Sequence, residues 1–265
     1  RDIGFVQALS TRVKYNNRRF IELTNTQISI FNRLKANKNI ITTGPAGSGK
    51  TIIAKTLAQD LLDKKQKVLF LCFNRTLANK IRYDFDRNEP LIEVVTFHSF
   101  ARKIIDTYNT SWWKSNSTSK DFWELDVPVK LEECLPFYKD SFDAIIIDEG
   151  QDFKELWFEL IFSLGKNTCS QHIFMDEMQD IFGHYTKIPN EENFIKYSLP
   201  ENCRNTKTIV SYLSKVLSKN IETFDNSPKG EEVVIKTFKN QTEQQKYLID
   251  EIKYLTREQG ISTEQ

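Results

Sequence analysis

The segment IITTGPAGSGKTIIAKTLAQDLL, Ile40–Leu62, decides the fold. In it a short apolar run, a glycine-rich loop and a helical pattern follow one another directly. Residues 44–51, GPAGSGKT, match the phosphate-binding pattern G-x-x-x-x-G-K-[ST] in the strand–loop–helix context that this pattern requires. The glycines let backbone N–H groups face phosphates, and the start of the helix adds positive potential. The segment therefore predicts nucleoside triphosphate binding and leaves the use of the nucleotide open.

Two side chains of this loop have specific predicted roles. We expect Lys50 to contact the β- and γ-phosphates of ATP and the Thr51 hydroxyl to bind Mg²⁺. A glycine-rich turn that binds no ligand is the alternative, and the strand and helix on either side disfavour it. The predicted nucleotide-binding residues of the loop are Gly44, Pro45, Ala46, Gly47, Ser48, Gly49, Lys50 and Thr51.

Short apolar runs alternate with helical patterns along much of the chain. This alternation predicts an α/β fold, a parallel sheet with helices on both faces, in which ligands bind at the carboxyl ends of the strands. The predicted strands are NIITT, KVLFLCF, LIEVVTF, DAIIID and HIFMD, and the helical patterns between them include Ile52–Leu62, Leu77–Phe85, Phe100–Tyr108 and Phe153–Leu164. Another helix is predicted near residue 30, with the polar cluster Thr24–Thr26 as its N-cap.

Two adjacent acids end the strand DAIIID. Asp148 is placed to bind Mg²⁺ opposite the phosphate loop, and Glu149 to act as the general base that polarises an attacking water. Two acids favour hydrolysis over a kinase reaction, in which the base acts on a substrate hydroxyl. The alternative, a strand that ends in a solvated acidic turn, is weakened by the phosphate loop upstream.

Composition bounds the other possibilities. With 39% hydrophobic and 28% charged residues, the chain can build a packed core. The formal net charge is +1, so nucleic-acid binding would need a local groove instead of a basic protein surface. No stretch is apolar enough to predict a membrane span. The four cysteines form no C-x-x-C pair, which predicts buried free thiols and a cytoplasmic protein.

Several further motifs, in order, resemble superfamily 1 helicases of the UvrD/Rep/PcrA type over about residues 23–210. LTNTQ resembles the Q motif, GPAGSGKT motif I, CFNRTLANKI motif Ia and VVTFHSF motif Ib. DEGQD is similar to motif II, usually DEAQD, with Gly150 in place of alanine. MDEMQDIF resembles motif III and LPENCRNTKTI motif IV. The resemblance implies a RecA-like ATPase that moves 3′ to 5′ on single-stranded DNA or at a single-strand/duplex junction, in processes such as DNA repair.

The resemblance also implies roles for individual residues. Gln27 would hydrogen-bond the adenine edge, while Gln151 and Gln179 would sense the γ-phosphate and couple it to DNA. Arg204 would contact the same phosphate, and a guanidinium suits charge that develops on a transferred phosphoryl group. We therefore predict Lys50, Glu149, Gln151 and Arg204 as catalytic residues.

The predicted DNA-binding residues follow two strands. They are Phe73, Asn74, Arg75, Thr96, Phe97 and His98. Aromatic side chains in a groove stack on bases with little sequence preference, and the polar residues would hold backbone phosphates. Alternatively, Phe97 and Phe100 belong to the core under the next helix, and His98 is a capped histidine whose hydrogen bonds are satisfied within the protein. For Phe100 the core is the favoured position.

The sequence departs from the family in two places. The aromatic and arginine that usually follow motif III are replaced, with Phe182 or Tyr185 as possible base-stacking substitutes. Motifs V and VI, with the arginine finger of motif VI, have no counterpart in 231–265. Since such a finger contributes about 10³–10⁵ in rate, we expect this chain alone to bind ATP weakly and hydrolyse it slowly.

The predicted organisation follows from these motifs. Residues 1–22 are an N-terminal extension, 23–220 the RecA-like domain 1A with a small 1B-like insertion at about 108–140, and 221–265 the incomplete start of domain 2A. The last region contains a predicted strand, VVIKTF, and a helix over Glu243–Leu255. Both ends of the sequence suggest a fragment, whose missing C-terminal RecA-like domain would be a partner from the same parent chain.

Other functions are possible for such a chain. One is a helicase-like P-loop ATPase that regulates a nuclease or defence system, and another is a nucleotide-binding scaffold without hydrolysis. The intact Lys50, Asp148, Glu149 and Gln151 disfavour the scaffold.

Overall fold

The computed structural model describes residues 9–33, 37–85, 89–113, 121–176 and 187–261. It contains two compact units, one formed by Gln27–Pro200 and the other by Arg1–Thr26 with Glu201–Gln265.

The unit Gln27–Pro200 is built on six parallel strands. Their order across the sheet is β3-β2-β4-β5-β1-β6, and each neighbouring pair is parallel. The strands are β1 (Asn39–Thr43), β2 (Val68–Cys72), β3 (Ile92–Thr96), β4 (Phe142–Asp148), β5 (Gly165–Met175) and β6 (Ile195–Ser198). The five predicted strands of this sheet are confirmed, and the sheet is the predicted parallel α/β type.

Helices cover both faces of the sheet. The α-helices are α1 (Leu9–Phe31), α2 (Lys50–Asp63), α3 (Arg75–Asp84), α4 (Phe97–Asn109), α5 (Val127–Cys134), α6 (Glu155–Phe162), α7 (Lys207–Leu217) and α8 (Gln241–Lys253). One face of the sheet packs with Phe31 and with α2 and α3. The other face packs with α4, α5 and α6. Because both faces are buried, the central strands are almost continuously apolar, as a parallel sheet requires.

The stretch between α4 and β4 interrupts the alternation of strand and helix. Its described part forms a π-helix (Phe122–Asp126), α5 and a 3₁₀ turn (Leu135–Phe137). Phe122, Val127 and Leu131 are buried in the core against α4. The stretch is therefore folded onto the face of the sheet that α4 covers.

The predicted N-cap at Thr24–Thr26 is wrong. The helix starts at Leu9 and continues through these residues to Phe31. The Thr24 hydroxyl donates to the Phe20 carbonyl at 2.8 Å, and the Thr26 hydroxyl donates to the Glu22 carbonyl at 3.2 Å. A threonine inside a helix satisfies its hydroxyl in this way, so the polar cluster does not break the helix.

The predicted strand VVIKTF is also wrong. Residues 231–238 have no strand structure and pair with no strand that the structure describes. Val234 and Ile235 are 73% and 65% exposed. A β-branched sequence forms a strand only when a neighbouring strand bonds its backbone groups, and this segment has none among the described residues. The helix predicted after it is confirmed as α8, followed by a π-helix (Tyr254–Glu258).

Gly150 allows two strand ends to approach closely. It begins the 3₁₀ turn Gly150–Asp152 just after β4. A Cβ added at this position would lie 2.7 Å from Ile173 Cγ2 of β5, closer than two carbon atoms can pack. The glycine that replaces the usual alanine of DEAQD is therefore explained by the packing of β5 against the turn.

We expect Gly150→Ala to lower the free energy of unfolding by about 1–3 kcal/mol, the typical cost of overpacking. Denaturant unfolding followed by tryptophan fluorescence measures this, because all four tryptophans lie in the unit of the sheet. Combining the change with Ile173→Ala should cost less than the sum of the two single changes. A Gly150→Ala protein as stable as the wild type would contradict the packing argument.

Candidate active site

The phosphate loop connects β1 to α2. Gly47 and Gly49 have φ of 85° and 92°, values that glycine adopts without strain. The Ser48 N–H donates to the Pro45 carbonyl at 3.1 Å. A Cβ at Gly44 would lie 2.6 Å from the Leu199 carbonyl oxygen. The backbone is thus held in the tight conformation that the G-x-x-x-x-G-K-[ST] pattern predicts.

Lys50 is a buried cation at the centre of the site. Its side chain is 7% exposed, and Nζ donates to the carbonyls of Gly44 and Pro45 at 2.6 and 3.1 Å. Nζ also lies 3.8 Å from Asp176 Oδ2. Burial lowers the pKa of Lys50, and the carboxylates of Asp176, Glu149 and Asp148 oppose this shift. The structure therefore brings the loop lysine together with acids at the ends of β4 and β5.

Asp148 is the acid best suited to hold a metal ion. It ends β4 with 0% exposure, and its Oδ1 accepts the Glu149 N–H at 3.2 Å. Within the described chain, Oδ2 has no hydrogen-bond partner. Burial raises the pKa of Asp148 to about 6, while a hydrogen bond from Thr51 lowers it in part. A nearby cation would stabilise this buried carboxylate, so the residues fit Mg²⁺ with Asp148 and Thr51 as its protein contacts.

Among the described residues, Asp148 and Thr51 are the protein ligands that we assign to this ion. No group of three or more His, Cys, Asp or Glu in the described ranges could hold a metal ion. Mg²⁺ in nucleotide sites characteristically uses one or two carboxylates together with substrate phosphates. The pair Asp148 and Thr51 fits this kind of ion, which would be held jointly by the protein and the nucleotide.

A side-chain amide connects the general-base candidate to the neighbouring strand. Gln151 Nε2 donates to Glu149 Oε2 at 2.8 Å, and Gln151 Oε1 accepts the Asp176 N–H at 2.9 Å. Glu149 itself has a left-handed backbone with φ of 59°, a conformation that is strained for a residue with a side chain and is concentrated at functional sites. The amide of Gln151 thus fixes one carboxylate oxygen of Glu149 and ties it to the end of β5.

Asp176 is a member of the site that sequence reasoning did not include among the catalytic residues. It is 1% exposed and contacts both Lys50 and Gln151. Its signal in the sequence is the same as that of Asp148, an acid directly after a buried apolar strand. Within the segment that resembles motif III, the residue predicted to contact the nucleotide is Gln179 instead.

The other predicted nucleotide contacts lie on other parts of the chain. Gln27 is buried, 1% exposed, near the end of α1. Arg204 is exposed in the other unit, where its N–H donates to Asn202 Oδ1 at 3.0 Å. Gln179, Phe182 and Tyr185 lie outside the described residues. The proposed roles of all five residues stay predictions.

Some predicted DNA-binding residues are available at the ends of β2 and β3. Phe73 is 46% exposed and Arg75 is exposed. Asn74 caps α3, its Oδ1 accepting the Leu77 N–H at 2.7 Å. Thr96 caps α4, its hydroxyl oxygen accepting the Ser99 N–H at 3.2 Å. The side chains of Asn74 and Thr96 are therefore hydrogen-bonded to the N-termini of α3 and α4. Phe73 and Arg75, by contrast, face solvent.

Phe97 requires a correction. It is 2% exposed, and its ring stacks on Trp157 with centroids 4.3 Å apart and planes 6° apart. A ring buried in this way cannot take a base, so the prediction that Phe97 contacts DNA is wrong in this structure. The alternative, that Phe97 and Phe100 are core residues, is the arrangement found.

His98 has a position between the core and the surface. Its Nε2 lies 3.2 Å from the Trp123 carbonyl oxygen, and its ring packs edge-on against Trp157 at 4.8 Å. Burial lowers its pKa, which favours the neutral ring with Nε2 as donor to the carbonyl. His98 therefore joins the segment after α4 to the end of β3.

Comparison with protein families identifies the chain. The family described as the type III restriction enzyme, res subunit (ResIII), matches residues 18–155, just over half of the sequence. The matched range includes the phosphate loop and the pair Asp148–Glu149. The chain belongs to the ResIII family. Together with the site, this identifies a helicase-type, nucleotide-binding P-loop ATPase domain with a RecA-like α/β fold.

The chain is also similar to solved structures of distant proteins. The UvsW helicase from bacteriophage T4 is 14% identical with a TM-score of 0.37, over 60% of this chain and 55% of that one. Bacteroides Pif1 bound to ssDNA is 14% identical with a TM-score of 0.39, over 74% and 45%. AMPPCP-bound DnaA from Aquifex aeolicus is 13% identical with a TM-score of 0.32, over 82% and 55%. The chain thus spans about half the length of these proteins.

No curated protein sequence matches the chain. All four cysteines are buried and free, as predicted. Across the described residues, no helix is both long and apolar enough to cross a membrane.

The raised pKa of Asp148 predicts a pH effect on stability. The folded state binds the proton more tightly than the unfolded state, so without Mg²⁺ the free energy of unfolding should fall as pH rises from about 4 through about 6. Asp148→Asn should remove most of this fall and stabilise the protein at pH 7.5 by up to about 3 kcal/mol. Denaturant unfolding at several pH values measures it.

The exposed Asp63→Asn is the matched control and should keep the wild-type pH dependence. Adding Mg²⁺ with a non-hydrolysable ATP analogue should stabilise the wild type more than Asp148→Asn, because a ligand that binds the folded state stabilises it. Equal pH dependence in wild type and Asp148→Asn would contradict the account of this carboxylate.

Proposed function

We propose that the chain is the ATP-binding motor lobe of a superfamily 1 DNA helicase or translocase, which couples ATP hydrolysis to movement on single-stranded DNA. The observation that carries the proposal is the connected cluster of Lys50, Asp148, Glu149, Gln151 and Asp176 at the ends of three strands. A cation for phosphate, a buried metal-binding acid and an oriented base are the three groups that nucleotide hydrolysis needs.

Each side chain has a defined part in this reaction. Lys50 and the loop N–H groups hold the phosphates of ATP, and Asp148 with Thr51 holds Mg²⁺, which when bound neutralises charge on the phosphate oxygens. Glu149 accepts a proton from water as the water oxygen bonds to the γ-phosphorus. The bond from that phosphorus to the β–γ bridging oxygen breaks, and Lys50 stabilises the negative charge left on ADP.

Gln151 is the proposed link between the nucleotide and the DNA. Its amide bridges Glu149 and the N–H of Asp176, so a change at the γ-phosphate would move the end of β5. The motif III segment, with Gln179, follows directly. By resemblance, this segment and Arg204 respond to the same phosphate, and the direction of movement is 3′ to 5′ on a single strand or at a junction with duplex.

A second RecA-like lobe is part of the proposal. Apolar residues are exposed in the C-terminal part of the chain, including Val234, Ile235, Leu248, Ile249 and Ile252. If these residues form a contiguous apolar surface, it would be of the kind that meets another protein surface. We propose that the remainder of a C-terminal RecA-like domain in the parent chain covers them and supplies the arginine finger.

The proposed location is the cytoplasm.

The alternative, a regulatory ATPase in a nuclease or defence system, has no specific support. The family is described as a restriction enzyme subunit, but the matched residues, 18–155, contain the phosphate loop and the acid pair and name no nuclease residue. We therefore keep the motor lobe as the proposed function, with DNA repair as one process that uses such motors.

Two substitutions separate binding from hydrolysis. Lys50→Ala should weaken the binding of a fluorescent ATP analogue at least about tenfold, because it removes a buried phosphate contact worth more than about 1.4 kcal/mol. Glu149→Gln should bind the analogue within about threefold of wild type and hydrolyse ATP about 10²–10⁴-fold more slowly, since it lacks the base. Single-turnover hydrolysis with excess protein measures even the slow rate expected of this chain.

Glu159→Gln, an exposed acid on α6, is the control and should match the wild type in both assays. Stimulation of hydrolysis by single-stranded DNA in the full-length parent protein tests the motor. If Glu149→Gln hydrolyses ATP as fast as the wild type, or if Lys50→Ala binds it equally well, the proposed active site is wrong.

A further inference from the structure

Trp123 is an exposed aromatic side chain that is nevertheless held in place. It is 45% exposed and is the second residue of the π-helix Phe122–Asp126. Its ring packs edge-on against His98 at 5.2 Å and 86°, and against Phe122 at 5.2 Å and 80°. Trp113 lies against it at 5.9 Å. Much of the apolar surface of Trp123 is therefore exposed to solvent, while the neighbouring rings restrict the rotation of its side chain.

Aromatic contacts connect Trp123 to the core. Phe97 stacks on Trp157, His98 packs edge-on against Trp157, and Trp123 packs edge-on against His98. The Trp123 carbonyl is also joined to His98 Nε2 at 3.2 Å. The exposed ring is therefore supported by buried rings, and π-helical turns such as the one that carries it are frequent at functional sites.

The position of this ring is at the ligand-binding edge of the sheet. His98 lies in the first turn of α4, directly after the carboxyl end of β3. The β3 end pairs with the β2 end, Cys72 opposite Thr96, and the exposed Phe73 follows Cys72. Trp123 and Phe73 are thus two exposed aromatic side chains associated with neighbouring strand ends, on the edge where the phosphate loop also lies.

We propose that Trp123 stacks on an unpaired base of a single-stranded nucleic acid. This rests on the proposed function and deepens it, because it names an exposed ring for the contact that the buried Phe97 cannot make. The charges nearby favour a base over a phosphate as the contact. Asp121, Glu124 and Asp126 are close to Trp123 in the sequence, and Glu124 forms an exposed ion pair with Lys154 at 3.8 Å. The backbone phosphates would therefore lie toward Arg75 instead.

The test is the affinity of the chain for a fluorescein-labelled dT₁₅ oligonucleotide at fixed low salt, followed by anisotropy in the presence of a non-hydrolysable ATP analogue and Mg²⁺. Removing one stacking contact should weaken binding about 5- to 150-fold for Trp123→Ala. Trp123→Phe keeps a stacking ring and should stay within about threefold of wild type. Affinity for the ATP analogue should be unchanged in both variants.

Phe137→Ala is the matched control. Phe137 is 70% exposed and stacks on Tyr108 at 4.6 Å, and Tyr108 is ten residues, about 15 Å along the axis of α4, from His98. This variant also removes an exposed, stacked aromatic ring, but one that packs on Tyr108 and not on His98, and it should bind dT₁₅ like the wild type. Equal loss in Phe137→Ala and Trp123→Ala would overturn the inference.

A measurement on the unmodified chain covers the case in which Trp123→Ala does not fold. A 5-iodouracil oligonucleotide irradiated with the wild-type protein should crosslink to Trp123, identified by peptide mass. Adducts found only at other residues overturn the inference, as does wild-type affinity in a folded Trp123→Ala. If the wild-type chain binds ATP but no single-stranded DNA, both this inference and the DNA part of the proposed function are wrong. If it binds single-stranded DNA normally but Trp123 has no role in that binding, the inference alone is wrong.

Discussion

The buried ammonium group of Lys50 is the constraint on which the rest of the site depends. A charge removed from water is costly unless opposite charges and hydrogen bonds replace the lost solvation. Here two loop carbonyls accept from Nζ, and the acids at the ends of β4 and β5 oppose the fall of its pKa. The order β4-β5-β1 in the sheet places these strand ends side by side. The topology of the sheet therefore brings together the acids that offset the burial of the Lys50 ammonium group.

The same strand order explains how the site can do more than bind. Asp148, with one carboxylate oxygen unpartnered in the described structure and a pKa near 6, is a group that a cation would stabilise. Glu149 has a left-handed backbone conformation, and Gln151 donates a hydrogen bond to one of its carboxylate oxygens. Gln151 also accepts a hydrogen bond from the N–H of Asp176, so it links Glu149, the proposed base, to the end of β5. This connection gives the proposed coupling between hydrolysis and movement a physical route.

Much of this could be predicted from the sequence, for reasons that particular residues show. The phosphate loop could be recognised because a buried strand, a glycine pattern and a following helix leave little conformational choice around Lys50. The acid pair could be recognised because it directly follows a second buried strand. Asp176 has the same local signature as Asp148, yet only the parallel pairing of β1 with β5 brings it to Lys50. Phe97 could not be placed, since core and groove aromatic residues look alike until Trp157 packs on the ring. Thr24–Thr26 failed as a cap because threonine hydroxyls can bond within a helix, and residues 233–238 failed as a strand because strand formation depends on a partner.

The most direct test of the central claim is the position of a metal ion. Crystals grown with Mn²⁺ and a non-hydrolysable ATP analogue would give an anomalous signal for the ion. The account predicts one peak within direct or one-water reach of Asp148 and the Thr51 hydroxyl, at about 2–4.5 Å, with Lys50 on the phosphates of the same nucleotide. An ion bound elsewhere, or a nucleotide whose phosphates do not contact Lys50, would contradict it.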